Sequence, residues 1–195
     1  MLYKWALSMA QSFYVNSGKP YDEDDIEDYA YGLEMLVENV FELLAVFLIG
    51  VFMGRAFETI VFILAFISLR GLAGGYHSKT SFRCFLTFLA VYGLFLAIIH
   101  FTPLWLTNYI ALISVGLSAI SIFALAPVPH PNKPIGQQQH KFFRKMSITV
   151  FLIQAFIIVG LAALGIVPFI GLSLAIGQLS AATSLLAAKI QYANS

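Results

Sequence analysis

Apolar residues fall into six long blocks separated by short polar breaks: Val37 to Met53, Ala56 to Leu69, Cys84 to Phe101, Tyr109 to Val128, Met146 to Gly165 and Ile170 to Ala188. A helix of about 20 apolar residues crosses a bilayer because it satisfies its own backbone hydrogen bonds there. The pattern predicts an all-α, polytopic membrane bundle of about six transmembrane segments. The second block is short for a crossing, which predicts a tilted helix or one that ends below the membrane surface. Ahead of the blocks, Leu2, Trp5, Ala6, Met9 and Phe13 share one helical stripe, with Lys4, Ser8, Gln11 and Ser12 opposite. That is an N-terminal amphipathic helix, lying in the membrane interface or packed on other segments. Gly18-Lys19-Pro20 breaks it, Asp22 to Asp28 is acidic, and Tyr29 to Glu38 leads as helix into the first crossing. In the last block Gly171, Ala175, Gly177 and Ala181 permit close helix packing. No repeat is visible, so the reading is one integral membrane domain over residues 1–195. Within it, 1–35 form an amphipathic and acidic region, 70–84 a polar loop and helix start, and 129–145 a basic loop.

Composition agrees with this pattern. The 195 residues are 59% hydrophobic and 11% charged, with a mean hydropathy of +0.84. Soluble domains carry about a quarter charged residues. The net charge of +1 points to no nucleic-acid partner, but its distribution is informative. Every Asp and Glu lies at or before Glu58, and with six crossings ten of the eleven Lys and Arg fall on one side, Arg55 alone on the other. The positive-inside bias predicts that both termini and the 70–84 loop are cytoplasmic. The start, Met1 to Val15, lacks the pattern of a cleavable signal and is read as part of the mature protein.

Polar chemistry concentrates in the island from Arg70 to Cys84, which holds the one cysteine of the chain and His77 seven residues before it. A cysteine is a useful nucleophile as a thiolate, favoured by a base, by local positive charge or by a helix amino terminus. Here His77 is the candidate base, and Lys79 and Arg83 supply charge. Ser78, Thr80 or Ser81 could cap a helix carrying Cys84 in its first turns. On one continuous helix His77 and Cys84 would stand about 10 Å apart along the axis, too far for proton transfer. The spacing therefore predicts a loop through His77 folding back over a helix that begins near 78–81. Gly74-Gly75 permits that turn and leaves bare N–H groups for an oxyanion, with Arg70 beside them. With no acid after Glu58, a carboxylate orienting His77 must come from the first third of the chain; otherwise an amide or a backbone carbonyl serves. Glu34 is a candidate to face Arg70, and Glu42 and Glu58 stand in apolar sequence. His130 and His140, ten residues apart without a nearby thiol or carboxylate, do not make a metal site. No cofactor is expected.

Arg70, Gly74-Gly75, His77 and Cys84, followed by Ala126-Pro127-Val128 and Asn132-Lys133-Pro134-Ile135, resemble the signature of the accessory gene regulator B (AgrB) family. The similarity runs from Tyr31-Gly32-Leu33-Glu34 to the last apolar block. It implies a membrane cysteine endopeptidase with Cys84 and His77 catalytic. The implied substrate is an AgrD-like quorum-sensing propeptide, cut through an acyl-enzyme thioester and released as a cyclic thiolactone precursor. It also implies a homodimer. By charge, Lys133, Lys141, Arg144 and Lys145 could dock an acidic peptide tail or anionic lipid, although the positive-inside rule alone accounts for them. Two other classes compete. One is a small transporter with Glu42, Glu58 and Arg55 along its path and His77 relaying protons. The other is a non-enzymatic scaffold.

Overall fold

The computed structural model describes residues 2–17, 22–75, 81–129 and 136–193. Among them are seven helices: α1 (Leu2–Ser17), α2 (Glu23–Phe52), α3 (Ala56–Ala73), α4 (Ser81–Phe101), α5 (Leu104–Leu125), α6 (Gln137–Leu164) and α7 (Pro168–Ala193). The six from α2 to α7 are long and apolar enough to cross a membrane. The expected all-α bundle with an N-terminal helix is therefore what forms.

Several boundaries differ from the expected ones, each for a local reason. The second crossing runs on to Ala73 and reaches 18 residues, still the shortest of the six, and Arg70 lies in its last helical turn. Gly71 is exposed with open space around its α-carbon, and the helix stops only where Gly74 adopts a φ of +80°. α5 begins at Leu104 rather than 109 because Pro103, with φ −69°, stands at its cap, which brings Trp105 into the helix. α6 starts at Gln137, inside the expected 129–145 loop. Its glutamines are good helix formers, and Gln139 Oε1 accepts the Gly136 N–H at 3.3 Å. Lys141, Arg144 and Lys145 are therefore helical.

The chain divides into two compact bodies, residues 1–45 and 46–195. In the first, Ala6 and Ala10 of α1 are fully buried with Ala30 of α2, flanked by Leu7, Ile26 and Leu33. Phe13 stacks on Tyr29 at 5.0 Å between ring centres. The small residues of α1 thus pack, while Trp5, Met9 and Phe13 stay about half exposed. The acidic run begins α2 with reciprocal caps: Asp25 N–H donates to Asp22 Oδ1 at 2.8 Å, and Asp22 N–H to Asp25 Oδ2 at 3.3 Å. Acids at a helix amino terminus also oppose its dipole.

In the second body α7 is the central element. It packs on α3, α4, α5 and α6, and 56% of its apolar window is buried, against 22–28% for those four. The others turn large residues such as Leu64, Leu94, Ile120 and Phe156 outward, as lipid-facing helices do. α7 approaches α3 closely because Gly177 has no side chain: a Cβ there would stand 2.6 Å from Phe62 O and 2.8 Å from Ala65 Cβ. Small residues are how membrane helices reach van der Waals contact without a hydrophobic drive between them. The close helix packing expected of this small-residue face is thus made at Gly177, inside the chain. α4 meets α3 differently, through rings: Phe62 lies 4.5 Å from Phe95, Phe66 lies 5.1 Å from Phe88, and buried Tyr92 hydrogen-bonds Thr59 at 2.8 Å. Gly177→Ala should destabilise the bundle by about 2–3 kcal/mol and lower its melting midpoint in detergent by about 4–12 °C. Gly171→Ala, whose new methyl would find its nearest neighbour 3.7 Å away, should leave the midpoint within about 2 °C.

Candidate functional site

The described parts of the island, 70–75 and 81–84, lie at the bundle end where α3 and α5 finish, α4 and α6 begin, and α7 approaches its carboxyl end. A buried cluster supports it: Leu69 and Ala73 of α3, Ile122 of α5, Ala126 and Val128 beyond it, Phe151 of α6, and Ala181, Leu185 and Ala188 of α7. Two backbone links close the α3 end. Gly74 N–H donates to Arg70 O at 3.0 Å, and Val128 N–H donates to Ala73 O at 2.9 Å, so that Gly74 and Val128 form a parallel bridge. A Cβ on Gly74 would collide with the Val128 carbonyl. Glycine is thus required at 74 twice over, by its left-handed φ and by this approach.

Arg70 is half-buried at the centre of the arrangement. Its guanidinium carbon lies over the Phe66 ring, 5.6 Å from the centroid, and Nη1 donates to Ser184 Oγ of α7. Gly75 is buried against the same pair, and a Cβ on it would come within 2.5 Å of Arg70 Nη1 and 2.6 Å of Ser184 Oγ. The glycine pair thus seats the arginine and the α5–α6 connector against bare backbone. The Gly74 amide is committed to the Arg70 carbonyl.

Cys84 is the fourth residue of α4, half-buried, and α4 is described from Ser81, inside the expected 78–81 window. Arg83 beside it is exposed. His77 and Lys79 lie outside the described residues, as does Lys133. In sequence His77 stands two residues after Gly75 and four before Ser81. Glu34 is half-buried on α2, in the first body. Glu58, the one carboxylate side chain in the second body, pairs with Arg55 at 2.9 Å, and Arg55 also lies over Phe169, 5.2 Å from its ring centre. Twelve residues of α3 separate Glu58 from Arg70, about 18 Å of helix rise. This acid and its arginine therefore serve the opposite end of the bundle. His100 meets Phe101 edge-on at 4.9 Å. Among the described residues no group of three His, Cys, Asp or Glu could hold a metal ion.

Residues 6–187 match the family described as Accessory gene regulator B. The chain belongs to the AgrB family. A Clostridium perfringens (strain SM101 / Type A) protein named provisionally as AgrB-like is 29% identical over 160 residues, 77% of this chain and 73% of that one. A second from C. perfringens strain 13 is 27% identical over 73% of this chain and 70% of its own length. One from Listeria monocytogenes serotype 4b (strain CLIP80459) is 28% identical over 75% and 70%. No solved structure matches the chain. Membership and six crossing helices make this a multi-pass membrane protein of the Agr quorum-sensing system.

The Ala126-Pro127-Val128 element of the AgrB-like signature acquires a structural reason, since Val128 pairs with the end of α3. Two partners were not legible in sequence. Ser184 lies 114 residues from Arg70 among many small residues of α7, and nothing marks it out. Arg144, a candidate docking cation by charge, also donates its guanidinium N–H groups to Ala126 O at 3.1 Å and Phe123 O at 3.0 Å, capping α5. It also lines a groove with Lys141, Lys145, Ile148 and Thr149. Arg144→Gln should destabilise the protein by about 1–2 kcal/mol, read as a lowered melting midpoint in detergent. Lys141→Gln and Lys145→Gln should each stay within about 0.5 kcal/mol of the parent. Equal shifts for all three would remove the capping role.

Proposed function

We propose that the protein is a membrane cysteine endopeptidase that cleaves an AgrD-like propeptide at its cytoplasmic face and releases a cyclic thiolactone precursor. The observation that carries the reading is the position of Cys84 as the fourth residue of α4, nine residues after Gly75 in sequence, in a chain of the AgrB family. A thiol at a helix amino terminus beside cations is the setting in which a thiolate is stabilised. His77, in the short segment between the seat and α4, takes the proton from the Cys84 thiol. The thiolate attacks the scissile carbonyl, and Arg70 with backbone N–H groups of the island stabilises the oxyanion. The carbon–nitrogen bond breaks, the imidazolium returns the proton to the leaving amine, and an acyl-enzyme thioester remains. A cysteine thiol in the substrate then attacks the thioester carbonyl, closing the ring and restoring the Cys84 thiol. Exchange of one thioester for another conserves the reactivity that hydrolysis would lose, and a site that keeps water out favours the ring.

The positive-inside distribution supports a cytoplasmic site, with Arg70, Arg83, Lys141, Arg144, Lys145 and Lys189 toward the same bundle end and Arg55 at the other. Lys79 and Arg83 are accessory cations beside the nucleophile, and Lys133, Lys141 and Lys145 offer charge to an acidic substrate tail. The exposed Trp5, Met9 and Phe13 stripe suits a helix resting in the same interface as an amphipathic leader. Of the residues the transporter reading would place along its path, Arg55 and Glu58 pair with each other. Purified protein in liposomes should cleave the propeptide. Cys84→Ser and His77→Ala should each reduce cleavage by about 1,000-fold or more while leaving insertion and melting midpoint intact. Processing that survives either substitution would refute the dyad, and uptake that survives Cys84→Ser would favour transport.

A further inference from the structure

We propose that Ser184 on α7 is a positioning residue for the reaction, fixing the Arg70 guanidinium against the Gly75 seat; this rests on the peptidase reading above, in which Arg70 meets the oxyanion. Three elements meet at one point. The Phe66 ring lies under the guanidinium, and a ring face lets a planar cation turn about its normal. The Ser184 hydroxyl, accepting from Nη1, removes that freedom because a hydrogen bond is directional where stacking is not. Gly75 closes the third side, with no room for a Cβ between its backbone and the Nη1–Oγ pair. A guanidinium held in one azimuth presents its N–H fork in a fixed direction, and an oxyanion stabiliser acts through such preorganisation. The hydroxyl is not needed to dock the helices. Leu69 and Ala73 flank Arg70 on α3, Ala181, Leu185 and Ala188 flank Ser184 on α7, and all five lie in one buried cluster. Ser184→Ala should therefore fold and lose direction at Arg70 rather than the bundle.

The test uses the full chain in liposomes with a synthetic propeptide. Ser184→Ala should lower kcat about tenfold with KM within about twofold, since an interaction made in the transition state is lost. Ser184→Thr, which keeps the hydroxyl, should stay within about threefold of the parent. Arg70→Met removes every donor, and in that background Ser184→Ala should cost no further rate, the mark of two residues acting as one. Unchanged kcat in Ser184→Ala, or losses that multiply in the double variant, would overturn the proposal. Thermal midpoints of the parent, Ser184→Ala, Arg70→Met and the double variant judge the contact without any chemistry: coupled shifts support it, additive shifts refute it. Processing that survives Cys84→Ser would remove the peptidase reading and Ser184's role with it, while the thermal cycle would still decide whether the contact exists. The two failures are thus told apart.

Discussion

The end of α3 is a place where backbone must meet backbone. In an apolar bundle an unpaired amide or carbonyl costs several kcal/mol, so a helix can stop inside it only if something receives its last carbonyls. Here Val128 does so by donating to Ala73, and Gly74 turns back onto Arg70. Both links need the approach that glycine permits at 74, where any side chain would strike the Val128 carbonyl. The polar end of the molecule is built outward from this closure. It fixes where α3 stops and holds the chain beyond α5 against that end.

The same economy of volume works along α7. Gly177 brings that helix onto the α3 backbone, and seven residues later, two helical turns further along, Ser184 faces Arg70. The two contacts are one design: the register that lets Gly177 sit against Phe62 O and Ala65 also delivers the serine hydroxyl to the guanidinium. α4 is held by aromatic reach instead, which keeps its backbone further from α3 and makes its attachment depend on ring packing. The helix carrying the thiol and the helix carrying the arginine are thus fixed to the core by different means.

Much of this was legible in the sequence because the bilayer imposes a coarse rule. Six apolar blocks and an N-terminal helix ahead of them follow from length and patterning, and the structure has both. The ends of the helices were not legible. Hydropathy stops counting at Arg70, whereas the backbone continues to Ala73 because a helix ends where its hydrogen bonds are replaced, not where its side chains become polar. Gln137 to Lys145 failed for the same reason, since glutamine and lysine are good helix formers that a hydropathy window reads as loop. Arg144 and Ser184 were missed because their partners are distant in sequence, 18 and 114 residues away, and no periodicity carries such a pairing.

The location of negative charge constrains the chemistry further. An imidazole acting as a base is commonly oriented by a second group, often a carboxylate. In residues 46–195 the one carboxylate side chain is Glu58, and it stands about 18 Å along α3 from Arg70, already paired with Arg55. Within that body the one acid is therefore held by Arg55, well away from Arg70. What the body does offer at the island is cationic and neutral: Arg70, Arg83, the serine of α7 and backbone carbonyls. A site so composed stabilises negative charge on sulfur and on oxygen more readily than it stabilises a permanent imidazolium. For the proposed peptidase this favours a thiol over a hydroxyl as nucleophile, since a thiol ionises closer to neutral pH and asks less of its base.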